Sequence, residues 1–162
     1  MRILGIDPGY GIIGFSIIDK LNSGNEVVDY GVITTPKEMQ FELRLKAIYE
    51  SMIKLIDKFK PEQVAIEKLY FNKNITTGIP VAEARGVILL SIVMKGLPVY
   101  EYTPQEIKMA LTGLGKADKS QVQFMVKTLL HLTKIPRPDD AADAVAVALC
   151  HSQTNQIMRG LN

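Results

Sequence analysis

The chain has 162 residues, 47% of them hydrophobic, and a formal net charge of +2. This length supports one hydrophobic core and is too short for two comparable domains, so we expect a single domain over residues 1–162. No apolar run reaches the length of about 18 residues that suits a membrane-spanning helix, and the first residues do not resemble a signal peptide. The one cysteine, Cys150, excludes an internal disulfide. We therefore expect a soluble, cytoplasmic protein with no membrane partner.

The spacing of apolar residues predicts strands and helices in a mixed order. Strands are predicted over residues 2–7, 12–19, 26–34, 64–66 and 97–102. Helices are predicted over residues 38–59, 80–94, 104–111, 119–131 and 140–152. Three strands joined by short turns should form an antiparallel meander, and two β-α crossovers should follow it. The sequence therefore predicts an α/β protein with a mixed five-stranded sheet and helices on both faces, which is the layout of the ribonuclease H-like fold.

One glycine pattern suggests a different fold and is rejected. The string from Gly9 to Gly14 matches the dinucleotide-binding pattern G-x-G-x-x-G and follows a strand. That pattern must open a helix, whose N-terminus binds the pyrophosphate. Here β-branched and aromatic residues follow, which favours a strand. The glycines are better explained by a hairpin turn with a close backbone approach.

Four acidic residues are predicted to meet at one edge of the sheet. Asp7 ends the first strand and Glu67 ends the fourth, and these strands should be adjacent and parallel. Asp140 and Asp143 share one face of the last helix. If that helix packs against the same edge, mutual repulsion among four carboxylates implies a bound cation. Ligands that offer only oxygen suit Mg²⁺, with Mn²⁺ as a possible substitute.

Each acid also has an ordinary explanation. Asp7 begins a common turn sequence, and Glu67 could be an exposed residue at a strand end. Asp139 and Asp140 could cap the last helix. The combination favours a site, because three separate segments bring an acid to the same edge. Two cations held about 4 Å apart would clamp a phosphodiester for in-line hydrolysis, leaving 5′-phosphate and 3′-hydroxyl ends.

A basic stretch precedes the last pair of acids. Between Thr103 and Pro138 the chain has six basic residues and two acidic ones. Asp118 is predicted to cap a helix that begins at Lys119, which leaves backbone N–H groups free beside Lys116 and Lys119. Such a helix start can bind phosphate. Lysines that are merely solvated remain the alternative.

Six motifs appear in order along the chain, between residues 2 and 152. They are Ile3-Leu-Gly-Ile-Asp7-Pro-Gly9, Ala65-Ile-Glu67, Glu83-Ala-Arg-Gly86, Gly113-Leu-Gly115, Lys119-Ser-Gln-Val122 and Asp140-Ala-Ala-Asp143-Ala. Together they closely resemble the RuvC family of bacterial crossover junction endodeoxyribonucleases. The resemblance implies a ribonuclease H-like homodimer that makes paired, Mg²⁺-dependent nicks across four-way (Holliday) DNA junctions in recombination and repair. It also implies work alongside the RuvA and RuvB branch-migration proteins.

The resemblance assigns roles to the acidic residues. The family's acidic quartet falls on Asp7, Glu67, Asp140 and Asp143. Asp139 also lies near that helix face, but the family spacing Asp-Ala-Ala-Asp selects Asp140.

The resemblance and the local sequence also suggest DNA-binding residues. The family's aromatic residue, three positions after the glutamate, falls on Tyr70, and its two functional lysines fall on Lys108 and Lys119. Tyr70 and Phe71 are followed by a polar segment that contains Lys73, which suits stacking on an unpaired base. For Phe71, burial under the loop is the alternative.

The predicted helix over residues 80–94 is apolar on nearly every side. Such a helix needs cover on two faces, and a second copy of the chain could supply one of them. Complete burial within one chain is the alternative.

Other functions predict different behaviour. A related nuclease would act on RNA or RNA–DNA hybrids, and a non-catalytic module would bind junctions without cutting them. An actin-like ATPase would bind nucleotide, but it needs a second matching domain.

Overall fold

Ten regular elements make up the part of the chain that the structure describes. The structure, a computed structural model, describes residues 1–69 and 75–154, with the backbone alone at residues 75–77. The strands are β1 (Arg2–Asp7), β2 (Ile12–Leu21), β3 (Gly24–Thr34), β4 (Gln63–Glu67) and β5 (Val99–Tyr102). The helices are α1 (Phe41–Phe59), α2 (Ile75–Met94), α3 (Pro104–Thr112), α4 (Lys119–Leu129) and α5 (Asp139–Gln153).

The five strands form one mixed sheet in the order β3-β2-β1-β4-β5. The hairpin pairs β1·β2 and β2·β3 are antiparallel. The pairs β1·β4 and β4·β5 are parallel; α1 leads the chain from β3 to β4, and α2 is the crossover that joins β4 to β5. This arrangement confirms the predicted α/β sheet, including the adjacency of the two strands that end in Asp7 and Glu67.

Alternate residues of the central strands face opposite helical layers. Leu4 and Ile6 belong to a buried cluster with α1 and α2. Ile3 and Ala65 belong to a second cluster with α3, α4 and α5. Both clusters consist of fully or nearly fully buried side chains, most of them aliphatic, as expected for central strands that are covered on both faces. The prediction of helices on both faces is confirmed.

Helix α2 differs most from its prediction. It begins at Ile75, five residues before the predicted start, and Pro80 lies inside it. The polar segment from Asn72 to Gly78 is typical of a loop, so the predicted helix begins after it. Across residues 1–69 and 75–154, we find no helix that combines the length and apolar character needed to span a membrane.

Candidate active site

Asp7 and Glu67 lie side by side at the carboxyl edge of the sheet. Ile6 of β1 is paired with Ile66 of β4, and each acid is the next residue of its strand. Both side chains are partly buried. Side chains alternate along a strand, so Asp7 lies on the same face as Gly5, which contacts α5. The acids are therefore on the side of the sheet that α5 covers.

Two glycines allow α5 to approach this edge closely. A Cβ atom on Gly14 of β2 would lie 1.9 Å from the carbonyl oxygen of Asp140. A Cβ atom on Gly5 of β1 would lie 2.3 Å from the carbonyl oxygen of Ala144. Ser16 Oγ also donates a hydrogen bond to the Ala144 carbonyl over 2.9 Å. The first turns of α5, which carry Asp140 and Asp143, therefore contact β1, the strand that ends in Asp7, and its neighbour β2.

Burial and neighbouring acids raise the pKa values of Asp7 and Glu67. Burial, followed by the negative charges of Glu67, Asp143 and Asp140, raises the pKa of Asp7 to about 8. Burial and the charge of Asp143 raise the pKa of Glu67 to about 7. Lys119 opposes both shifts, and Lys108 opposes the shift of Glu67. The structure therefore brings the four predicted acids within electrostatic reach of one another.

The donor set fits a divalent cation. Among the described residues, no side chain donates a hydrogen bond to the carboxylates of Asp7 or Glu67. Buried carboxylates without a counter-charge are costly, and oxygen ligands are those that Mg²⁺ and Mn²⁺ prefer. In residues 1–69 and 75–154, however, no three acidic, histidine or cysteine side chains are already arranged around a single point. The four acidic side chains are therefore less closely grouped around one point than the sequence predicted.

Lys119 accounts for part of this looseness. Its Nζ lies 3.0 Å from Asp143 Oδ2 and 3.4 Å from Asp139 Oδ2. Asp139 also pairs with Arg137 and accepts a 3.4 Å hydrogen bond from Gln123 Nε2. Burial acts to raise the pKa of Asp139, but Lys119 and Arg137 outweigh it and lower that pKa. Asp139 thus shares Lys119 with Asp143 and pairs separately with Arg137.

The α5 acids do not act as helix caps. Pro138 occupies the N-cap position of α5, where no side chain makes a capping hydrogen bond.

The predicted cap of α4 is confirmed, since Asp118 accepts a hydrogen bond from Gln121 N at 2.9 Å. The Gln121 side chain returns a hydrogen bond to Asp118 N, also over 2.9 Å.

A cleft of about 260 Å³ joins two of the acids to two of the predicted lysines. It is lined by Glu67, Asp143, Lys108 and Lys119, together with residues of α3, α4 and α5. Its lining combines acids that suit a cation with lysines that suit a phosphate. Lys116 is exposed in the connection between α3 and α4 and does not line this cleft.

Some candidate residues lie elsewhere. Tyr70, Phe71 and Lys73, which are predicted to bind DNA, lie outside the described residues.

His151 is buried and is hydrogen-bonded to Tyr102 Oη through Nδ1 and to Gln63 Oε1 through Nε2, both over 2.7 Å. These contacts fix α5 to the sheet and give His151 a structural role.

Sequence reasoning missed Arg44, which contacts the turn that follows Asp7. The buried face of α1 includes Arg44, Ile48 and Met52, which are spaced four residues apart. Arg44 follows the same four-residue spacing as the buried apolar side chains of α1, and this spacing is a signal that could have identified it.

Comparison with known proteins identifies the family. The family model of crossover junction endodeoxyribonuclease RuvC matches residues 3–151. The protein of that name from Thermotoga petrophila is 52% identical over 161 residues, covering 98% of this chain and 96% of that protein. The Thermus thermophilus RuvC structure superposes with a TM-score of 0.87 at 32% identity, covering 94% and 93% of the two chains.

A second solved structure, T. thermophilus RuvC in complex with Holliday junction substrate, gives a TM-score of 0.85 at 30% identity and covers 94% of this chain and 93% of that chain. The full-length relative, the family model and both structures agree on one fold and one family. The chain belongs to the RuvC family.

Proposed function

We propose that this chain is a Holliday junction resolvase, a hydrolase that cleaves four-way DNA junctions in recombination and repair and requires Mg²⁺. The observation that carries the proposal is the acid pair Asp7 and Glu67, partly buried beside α5, with raised pKa values. Family membership supports the substrate, since a relative of the same fold is known in complex with a Holliday junction. The lysines of the neighbouring cleft suit a polyanionic substrate.

In this proposal, Asp7, Glu67, Asp140 and Asp143 would hold Mg²⁺ ions. When bound, the cations supply Lewis-acid stabilisation of the phosphate oxygens and activation of water, a role that Mn²⁺ can also fill. Asp7 and Glu67 must release their protons to bind them, which ties the reaction to pH. Asp140 and Asp143 complete the oxygen ligands from α5. No serine, cysteine or histidine nucleophile is required.

The lysines of the cleft position the DNA backbone. The Lys119 ammonium is half-exposed and already lies beside Asp143, so a phosphate that enters the cleft meets a positive charge next to the acids. Lys108 lies close enough to Glu67 to oppose the rise in the pKa of that carboxyl, and it offers a second positive charge. Lys116, exposed on the connection between α3 and α4, is proposed to contact a phosphate outside the cleft. Tyr70, Phe71 and Lys73 remain predicted junction contacts.

A second copy of the chain is proposed to cover α2. Four large apolar side chains of this helix are more than half exposed: Ile79 at 53%, Leu90 at 55%, Val93 at 63% and Met94 at 66%. Exposed apolar surface of this kind marks an interaction site. A twofold dimer places two active sites on one junction, as paired nicks require. An association with RuvA and RuvB stays a prediction from family membership.

The proposal is tested by offering the protein several nucleic acids in the presence of Mg²⁺. A synthetic four-way DNA junction is compared with a linear DNA duplex and an RNA–DNA hybrid, each with and without EDTA. We expect paired nicks with ligatable 5′-phosphate ends in the junction alone, and no cleavage in EDTA. Preferential cutting of the hybrid would favour the related ribonuclease activity, and binding without cleavage would favour the non-catalytic module. Either result would contradict the proposal.

A further inference from the structure

Arg44 is a buried cation beside the turn that follows Asp7. The residue is 8% exposed. Among the described residues, no other lysine, arginine, aspartate or glutamate is buried. Removing an ionised group from water is costly unless hydrogen bonds or an opposite charge compensate it. The fold therefore retains this charge against a substantial penalty, and its contacts indicate why.

The contacts of Arg44 are with neutral groups. Its Nε donates a hydrogen bond to Thr35 Oγ1 over 2.9 Å, and its Nη2 donates to the carbonyl oxygen of Tyr10 over 3.3 Å. The guanidinium carbon lies 4.7 Å from the centroid of the Tyr10 ring, which is a cation–π contact. Within the part of the chain that the structure describes, no carboxylate forms an ion pair with Arg44. A planar fork of donors suits this site, and a single ammonium does not.

All of these partners converge on the turn between β1 and β2. Thr35 Oγ1 donates a hydrogen bond to the Tyr10 carbonyl over 2.5 Å, and Thr35 N donates to the Gly11 carbonyl over 3.0 Å. A Cβ atom on Gly11 would lie 3.2 Å from Arg44 Nη2, so the guanidinium packs directly on the turn backbone. Arg44 and Thr35 thereby fix two consecutive carbonyls only three and four residues after Asp7.

We propose that Arg44 is a positioning residue, which acts with Thr35 to hold the turn over residues 8–11 and thereby fixes the Asp7 carboxylate where it binds a divalent cation. The inference rests on the proposed function, because it assigns Asp7 a role in that cation site. Small displacements of a ligand weaken both cation binding and catalysis. Arg44 therefore influences the chemistry without touching the substrate.

The test compares variants of Arg44 and Thr35 with a matched control. Arg44→Met removes the donors, Arg44→Lys keeps the charge, and Thr35→Val removes the bridging hydroxyl. Ile56→Ala is the control, because Ile56 is 5% exposed in the last turn of the same helix and packs in the core rather than on this turn. Three quantities are measured well below the melting temperatures: the dissociation constant for Mn²⁺ without DNA, the single-turnover rate of junction cleavage, and the melting temperature itself.

We expect Arg44→Met to weaken Mn²⁺ binding and to slow cleavage by about 10- to 100-fold. Thr35→Val should cause a smaller loss in both, and the double variant should lose less than the sum of the single variants, because the two side chains act in one network. Arg44→Lys should recover neither property fully. Ile56→Ala should lower the melting temperature and leave Mn²⁺ affinity and cleavage rate unchanged.

A purely structural role gives a different pattern. If Arg44→Met matched Ile56→Ala, losing melting temperature but not Mn²⁺ affinity, the proposal would be overturned. If Arg44→Lys fully recovered both Mn²⁺ affinity and cleavage rate, the role of the two guanidinium hydrogen bonds to Thr35 and Tyr10 would be overturned. Absence of junction cleavage by the unaltered protein would instead contradict the proposed function. The Mn²⁺ titration, which needs no DNA, would still decide the role of Arg44.

Discussion

Asp7 and Glu67 are carboxylic acids in surroundings that oppose their negative charge. Burial is the main cause of both raised pKa values, and neighbouring acids add to it. A divalent cation binds the ionised form and displaces the protons, so binding removes the electrostatic penalty. The burial that makes these carboxylates unfavourable without metal is thus the feature that favours cation uptake.

The metal-free protein is therefore expected to lose stability as pH rises. The unfolded chain releases these protons near the ordinary pKa values of 3.8 and 4.5, whereas the folded protein holds them up to about 8 for Asp7 and about 7 for Glu67. The native state thus binds more protons between those limits, and the free energy of unfolding falls with increasing pH across this range. Urea unfolding in EDTA at a series of pH values measures the decline.

Asp7→Asn provides the comparison for that titration. The variant has no proton to lose at this position, so its free energy of unfolding should fall less steeply with pH and should exceed that of the unaltered protein near pH 8. In the unaltered protein, the affinity for Mn²⁺ should increase over the same pH range. Parallel stability curves for the two proteins would contradict the raised pKa of Asp7.

At the scale of elements, the site depends on how closely α5 approaches β1 and β2. Gly5 and Gly14 leave room for the α5 backbone, and the buried contact between His151 and Tyr102 fixes the other end of the helix. Asp140 and Asp143 are placed by this packing rather than by hydrogen bonds of their own to the sheet. A change that moves α5 outward should therefore weaken the cation site.

Gly14→Ala tests this dependence on α5. The added Cβ would lie 1.9 Å from the Asp140 carbonyl oxygen, so the helix start must move. We expect a loss of about 1–3 kcal/mol in the free energy of unfolding, as for other overpacked sites, together with weaker Mn²⁺ binding. Urea unfolding and a Mn²⁺ titration measure the two effects.

Ile17→Val is the matched control on the same strand. Ile17 is fully buried in the cluster formed with α1 and α2, on the opposite face of the sheet. The variant should lose about 0.5–1.5 kcal/mol of stability and keep its affinity for Mn²⁺. Equal Mn²⁺ affinities in Gly14→Ala and Ile17→Val would mean that the position of α5 does not control the site.

The order of the elements was accessible from the sequence, whereas their closest contacts were not. The crossover through α1 after the meander places β4 beside β1, so the proximity of Asp7 and Glu67 follows from connectivity. Gly14 lies inside β2, as the predicted strand over residues 12–19 requires, but its contact with the α5 backbone depends on how that helix packs on the sheet. Arg44 was missed because a charged residue interrupts the hydrophobic pattern. The pairing of Lys119 with Asp139 depends on side-chain rotamers, which sequence spacing does not determine.

Helix α2 presents an apolar stripe that the described part of the chain does not cover. Leu90, Val93 and Met94 are exposed near the end of α2, whereas Ala84, Ile88 and Ile92 of the same helix are buried. The helix was predicted to be apolar on nearly every side, and the structure separates its buried face from its exposed face. The exposed face is the surface that we assign to a second copy.

Leu90→Glu is expected to prevent the proposed dimer. The side chain is 55% exposed, so the substitution should not disturb the core of one chain, but it places a charge in the proposed contact. Light scattering should give a mass near 18.0 kDa for this variant and twice that value for the unaltered protein. Val28→Glu, at an exposed position of β3, is the control and should remain dimeric. A dimeric Leu90→Glu protein would place the interface elsewhere.

The proposed function requires the acids of β1, β4 and α5 to act together as one cation site for junction cleavage. The single-turnover rate of cleavage of a four-way junction in Mg²⁺ tests this, measured for Asp7→Asn, Glu67→Gln, Asp140→Asn, Asp143→Asn and the matched control Asp139→Asn. We expect cleavage at the background rate for the first four variants with junction binding retained, and sustained cleavage for Asp139→Asn, since Asp139 pairs with Lys119 and Arg137. An undiminished rate in any of the first four variants, or loss of cleavage in Asp139→Asn alone, would contradict it.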